Sequence, residues 1–213
     1  MRFRLAVIAR LIALPSAAAA QTALPGDSMT NAGVVRAAAA VDSVFLLRLR
    51  GTDTVAAGDW AAYLMARLGV KPIPPDLRLR IIIDSGMIRM TGRIADLPQD
   101  ALRELGPLVS LVDPSTTLDA WASLVRIGPR AVRFRLDSAA LAGFGIPEAV
   151  LAPALANVGT RFPALTNTGR DLYVEIPTDG QLELANGGVR LAVPPAPPPP
   201  KRSTTHRPSK AHP

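Results

Sequence analysis

The side chains that do most enzymatic chemistry are scarce in this 213-residue chain. There is no cysteine, and the two histidines, His206 and His212, both lie near the C-terminal end. A histidine base held in a pocket of the main body is therefore excluded, and with it Ser-His-Asp and Cys-His nucleophilic mechanisms. Zinc held by cysteine and histidine is excluded on the same count, because four such ligands cannot be assembled. Carboxylates remain. Asp84-Ser85 and Asp137-Ser138 each end an arginine-bearing stretch, and two carboxylates can act as acid and base in glycan hydrolysis. Asp and Ser at such places also satisfy turn backbone, and that reading is preferred. Glu104, Glu148, Glu175 and Glu183 share no spacing, so neither calcium nor magnesium is indicated. "GFGIPE", 143 to 148, opens like a phosphate loop but lacks the third glycine and carries Pro147 where a donating N–H is wanted. It is read as a turn before a helix. No catalytic residue, cofactor or metal is assigned.

Two binding surfaces are left. Arg78, Arg80, Arg89, Arg93, Arg133 and Arg135 alternate with apolar residues. They form either an anion-contacting face or a solvated sheet face whose arginine stems cover apolar surface. The solvated reading is preferred because the body is neutral. On the opposite side, Trp60, Leu64, Ile81, Ile83, Ile88, Met90, Phe134, Leu136 and Leu155 form the apolar set. Such a set is ordinarily core. With abundant alanine and few aromatics, a sheet closed by alanine-rich helices can also leave an apolar groove.

Those residues need elements to hold them. Thr30 or Asn31 can cap an alanine-rich helix to about Val41. "SVFLLRLRG", 43 to 51, reads as a strand. "AGDWAAYLMARLGV" is the clearest helix, with Trp60, Leu64 and Leu68 on one face, Asp59 in its first turn and Gly69 at its C-terminal end. "RLRIIIDSGMIRMTGRI", 78 to 94, reads as a hairpin about Ser85-Gly86. A short helix is expected over 97–109, a second strand pair over 121–127 and 131–137, and a helix over 146–159 containing Pro153. Strands at 171–177 and around Asn186-Gly187-Gly188 complete the body. Hairpins alternating with short helices predict an α+β fold, a curved and mainly antiparallel sheet with two to four short helices packed on one face.

The first twenty residues read as a signal peptide: Arg2 and Arg4, then Leu5 to Leu14, then Ala18-Ala19-Ala20. Residues 21–29 are expected to form a flexible mature N-terminus, 30–193 a single domain, and 194–213 a disordered proline-rich basic tail. The formal charge is +7, but the leader supplies Arg2, Arg4 and Arg10, and the tail Lys201, Arg202, Arg207 and Lys210. Between them, 17 acidic groups face an equal number of basic ones. A neutral body argues against nucleic acid as a partner. The tail's four cations could instead touch an anionic envelope polymer or membrane surface. Export to the periplasm or beyond is the expected localisation.

The order of "AGDWAAYLMARLG", "LRLRIIIDSGMIRMTGRI" and "LVRIGPRAVRFRLDSAALAGFGIPEAVLAPAL" resembles bacterial exported proteins of the tubular lipid-binding type, including the mycobacterial mannan-elongation lipoprotein group. The resemblance spans roughly residues 44 to 193. It implies an apolar groove beneath a curved sheet and lipid handling without catalysis. Unlike the lipoproteins, this chain has no cysteine to acylate. A non-enzymatic cell-envelope protein binding lipid or a similar apolar ligand is thus the leading expectation. The alternative is a structural or assembly module with a filled core, contacting an envelope partner through its sheet face or basic tail.

Overall fold

The computed structural model describes residues 24–97, 102, 112–162 and 164–194. The expected signal peptide, nearly all of the tail and most of the 97–109 helix fall outside these residues. Within them the fold is α+β, with two open, antiparallel sheets. The larger sheet contains β1 (Asp27–Ser28), β3 (Arg80–Asp84), β4 (Met87–Arg93), β5 (Thr117–Gly128), β6 (Ala131–Leu141), β7 (Phe144–Gly145) and β8 (Asp171–Glu175). Its order is β1-β3-β4-β5-β6, with β7 and β8 both paired to β6. A second sheet, β2 (Thr52–Ala56), β10 (Gly188–Ala192) and β9 (Gln181–Ala185), was not foreseen as separate. Gly187 N–H joins it to the first by donating to the Ile83 carbonyl at 2.8 Å.

The hairpin β3-β4 turns at Ser85 and Gly86, both with positive φ, +51° and +75°. Such a turn matches the twist of the flanking strands. Pairing of Ile81 with Met90 and Ile83 with Ile88 puts the four apolar residues on one face. The alternation on the other face is less regular than the sequence implied. Thr91 and Asp119 are buried there rather than wet. β5 and β6 are long, and their register shifts at Trp121/Ala122 and again near Gly128. Bulges of this kind bend and twist a sheet.

Helix α1 (Asn31–Val41) begins at Thr30, whose hydroxyl accepts from the Gly33 N–H at 2.9 Å. The strand expected over 43–51 is not there. The helix continues instead into a π-helical turn, Asp42–Leu46, in which Leu47 N–H donates to the Asp42 carbonyl at 2.8 Å. The physical reason is a competing period. Val34, Ala37, Val44 and Phe45 are buried at helical spacing, and this set outweighs the two-residue alternation of 47–50. Leu46, Leu47 and Leu49 are consequently left 71%, 63% and 73% exposed.

Helix α2 (Ala57–Arg67) carries Asp59 in its first turn, and Asp59 accepts both Arg36 donors at 2.7 and 2.6 Å, clamping α1 to α2. Its C-terminal end is a Schellman turn: Gly69 N–H donates to the Ala66 carbonyl and Val70 N–H to that of Met65, with Gly69 at φ +90°. α2 lies between α1 and β3, with β10 beside it. Helix α3 (Glu148–Arg161) contains Pro153 as expected. It docks through close backbone approach. A Cβ on Gly169, whose φ is +67°, would fall 1.7 Å from the Leu155 carbonyl oxygen. No helix among the described residues is long and apolar enough to cross a membrane.

Candidate functional site

Where α2 faces the inner side of the larger sheet, the side chains leave a partly open cavity of about 250 Å³. The helix contributes Trp60, Ala61, Leu64, Met65 and, at its two ends, Ala57 and Leu68. The sheet contributes Ile81 and Ile83 from β3, Ile88 and Met90 from β4, Ala122 from β5, Phe134 and Leu136 from β6, and Leu172 from β8. Met29, Leu79, Leu165, Gly169, Arg135 and Arg170 complete the lining. Of the apolar set read from the sequence, Trp60, Leu64, Ile81, Ile83, Ile88, Met90, Phe134 and Leu136 are all in the wall. Leu155 is the exception. It sits on α3, and what reaches the wall is the Leu165 to Arg170 loop that α3 packs against.

The space exists because small residues stand where the two layers approach. Ala57 and Ala61 on α2 and Ala122 on β5 leave a gap between rows of isoleucine, methionine and leucine. Trp60, 1% exposed, holds one side, with ring centroids 5.4 Å from Tyr63 and 6.0 Å from Phe134. Ala122 pairs with Ile88 on one side and Leu136 on the other, immediately beside the Trp121/Ala122 register shift. The sequence reading also left out Met29, Ala57, Ala61, Met65, Leu68, Leu79 and Ala122, and the Leu165 to Arg170 loop with Leu172. The Leu172 and Val174 alternation in "DLYVE" was the available signal. The loop leads directly into β8, but nothing in its own composition points to the cavity.

Charge is sparse. Arg170 is ion-paired with Glu148 at the first turn of α3. Arg135 makes no ion pair among the described residues. Its cross-strand partners are Ser123 and Asp171, which places its side chain on the face opposite Phe134 and Leu136. The wall is therefore nearly all hydrocarbon.

The six arginines of the other face are mostly occupied. Arg80 donates to the Ser28 hydroxyl at 2.6 Å. Arg89 donates twice to Asp119, at 3.1 and 2.9 Å, and lies 5.8 Å from the centroid of the Trp121 ring. Arg133 stands 3.7 Å from Asp171, and Arg93 is engaged as well. Arg78 is exposed just before β3, and Arg135 has the environment just described. The two carboxylates lie outside the cavity wall. Asp84 accepts from the Ser85 hydroxyl at 3.1 Å in the hairpin turn, and Asp137 from the Ser123 hydroxyl at 3.2 Å. Among the described residues no cluster of His, Cys, Asp and Glu is placed to hold a metal ion.

Comparison with protein-family models, with curated proteins and with solved structures returned no match. The cavity has to be read from its own chemistry.

Proposed function

We propose that this protein is a non-enzymatic binder of lipid or a similar apolar ligand, exported to the cell envelope. The supporting observation is the size and lining of the cavity between α2 and the sheet. The cavity holds about 250 Å³, is partly open to solvent, and has a wall that is nearly all hydrocarbon, the kind of concave apolar surface on which small ligands bind. Water in contact with that wall gains few hydrogen bonds from it. A hydrocarbon group satisfies such a wall, and an apolar chamber of about 150 Å³ already admits a benzene ring. One acyl chain or a small ring system is the scale of ligand this cavity suits.

The assembly-module alternative draws on one feature, the solvent-facing turn of Leu46, Leu47 and Leu49, whose apolar surface suits a protein partner. It requires a filled core, which sits badly with an open space behind Trp60. Titration with N-phenyl-1-naphthylamine tests the ligand reading. The expected result is saturable fluorescence enhancement at one probe per chain, reversed by a long-chain ester. Enhancement that never saturates, or none at all, would count against it.

A further inference from the structure

Three leucines, Leu46, Leu47 and Leu49, stand in solvent on the turn that follows α1, with Arg48 and Arg50 between and after them. The turn is built rather than loose. Val44 and Phe45 anchor it in the core, and Leu47 and Leu49 N–H donate to the Asp42 and Ser43 carbonyls, each at 2.8 Å. Arg48, at φ +55°, pairs with Asp179, and Arg50 pairs with Asp53. The leucines are thereby presented outward. Three of them expose a few hundred Å² of apolar surface, whereas a stable protein interface takes about 800 Å² from each partner. A bilayer sets no such threshold, because binding grows with each apolar group inserted and with the charge beside it.

That charge comes from the chain's own end. Val193 N–H donates to the Gly51 carbonyl at 2.8 Å, so the polypeptide leaves the described fold two residues from Leu49 in the sequence of the turn. Beyond it, residues 195–213 hold Lys201, Arg202, Arg207 and Lys210 and no acidic residue. A chain spans at most about 3.6 Å per residue, which keeps Lys201 within roughly 30 Å of Val193. The charges of the turn itself nearly cancel. Arg48 and Arg50 are paired, and Arg126, which donates to the Gly128, Pro129 and Gly180 carbonyls beside Asp179, is matched by exposed Asp42. An inserted apolar group and a basic segment are the two signals that stable membrane anchoring takes. We propose that the protein docks on an anionic lipid bilayer, with Leu46, Leu47 and Leu49 inserted among the acyl chains and Lys201, Arg202, Arg207 and Lys210 on the lipid phosphates. Arg48 and Arg50 then reach headgroup level on their own stems. This surface does not depend on the cavity.

Cosedimentation of the full chain with phosphatidylcholine vesicles, with and without phosphatidylglycerol, tests the proposal. Every variant keeps the same leader and the same length, so their contribution cancels in the ratios. Each of Leu46→Ser, Leu47→Ser and Leu49→Ser should weaken binding to the mixed vesicles about tenfold, with Tm unchanged because the side chains are already exposed. Lys201→Gln, Arg202→Gln, Arg207→Gln and Lys210→Gln combined should weaken it by at least about tenfold and leave binding to pure phosphatidylcholine as it was. The chain has no cysteine, so Leu47→Cys gives a single site for an environment-sensitive nitrobenzoxadiazole label. That label should brighten and shift to the blue on mixed vesicles, whereas one at Phe144→Cys, against the opposite end of β6 from the Arg126 contacts, should not respond. Vesicle binding that survives the leucine replacements or the tail replacements overturns the proposal, as does an equal response at Phe144→Cys. A label at Leu47→Cys that is already blue-shifted before vesicles are added shows the turn covered by the tail or by a second copy, and overturns it as well.

Discussion

Replacing Ala61 by leucine separates a ligand cavity from a packed core by the sign of the effect. Ala61 lies on α2 in the cavity wall beside Trp60. Alanine and leucine are close on the helix scale, so propensity contributes little. Three added carbons entering open space gain about 0.8 kcal/mol each, and fixing the leucine rotamer costs about 0.5–1 kcal/mol. The net expectation is stabilisation of the ligand-free protein by about 1.5 kcal/mol, a rise of roughly 3–6 °C in Tm for a domain of this size. The same substitution should weaken N-phenyl-1-naphthylamine binding, because it occupies the probe's space. Urea denaturation with parallel probe titration measures both. In a core already packed to density the added carbons would instead destabilise by about 1–3 kcal/mol. Destabilisation of that size with undiminished probe binding would refute the cavity argument.

Two further substitutions probe the elements around the site. Gly169→Ala puts a side chain at φ +67° and into the Leu155 carbonyl. Left-handed strain alone costs about 1–2 kcal/mol, so limited proteolysis should cut within α3 faster than in the wild type, and thermal melting should report the loss. Asp179 is held below the ordinary aspartate range, first by the hydrogen bonds from Arg48, at 2.8 Å each, with burial opposing and the Arg48 charge adding a smaller share. A carboxylate depressed in the folded state adds stability above its unfolded value and loses it as pH falls through the folded one. Asp179→Asn should therefore lower Tm near neutrality, and the difference from wild type should shrink as the pH drops below the ordinary aspartate range. A difference that grows in acid would contradict the pairing.

Local patterning revealed much of this fold. The Ser85-Gly86 hairpin, the Trp60 face of α2, the β5-β6 pair and the α3 span could each be read from neighbouring residues. Period-two and period-3.6 patterns are local, and each names its own buried face. Eight cavity residues were identified from those faces, because both layers turn their apolar sides toward the same space. Where two periods overlapped, the reading failed. Residues 43–51 carry a strand-like alternation, but Val44 and Phe45 extend the buried helical row begun by Val34 and Ala37. The separation of β2, β9 and β10 into a second sheet was not visible, since strand partnership is a long-range choice. Leu155 was assigned to the cavity because its helix was expected to lie directly on the sheet. α3 docks through Gly159 and Gly169 onto the Leu165 to Arg170 loop by close backbone approach rather than through an apolar face. Nothing in the apolar pattern encodes it.

The central claim, an apolar ligand in the cavity behind Trp60, is tested most directly by native mass spectrometry of the purified full chain, with solvent extraction of the same sample. A bound mass at one per chain is expected, recovered in the organic phase as a lipid and absent from Ala61→Leu. A bare-chain mass, an empty extract and no lipid taken up on addition of long-chain esters would contradict it.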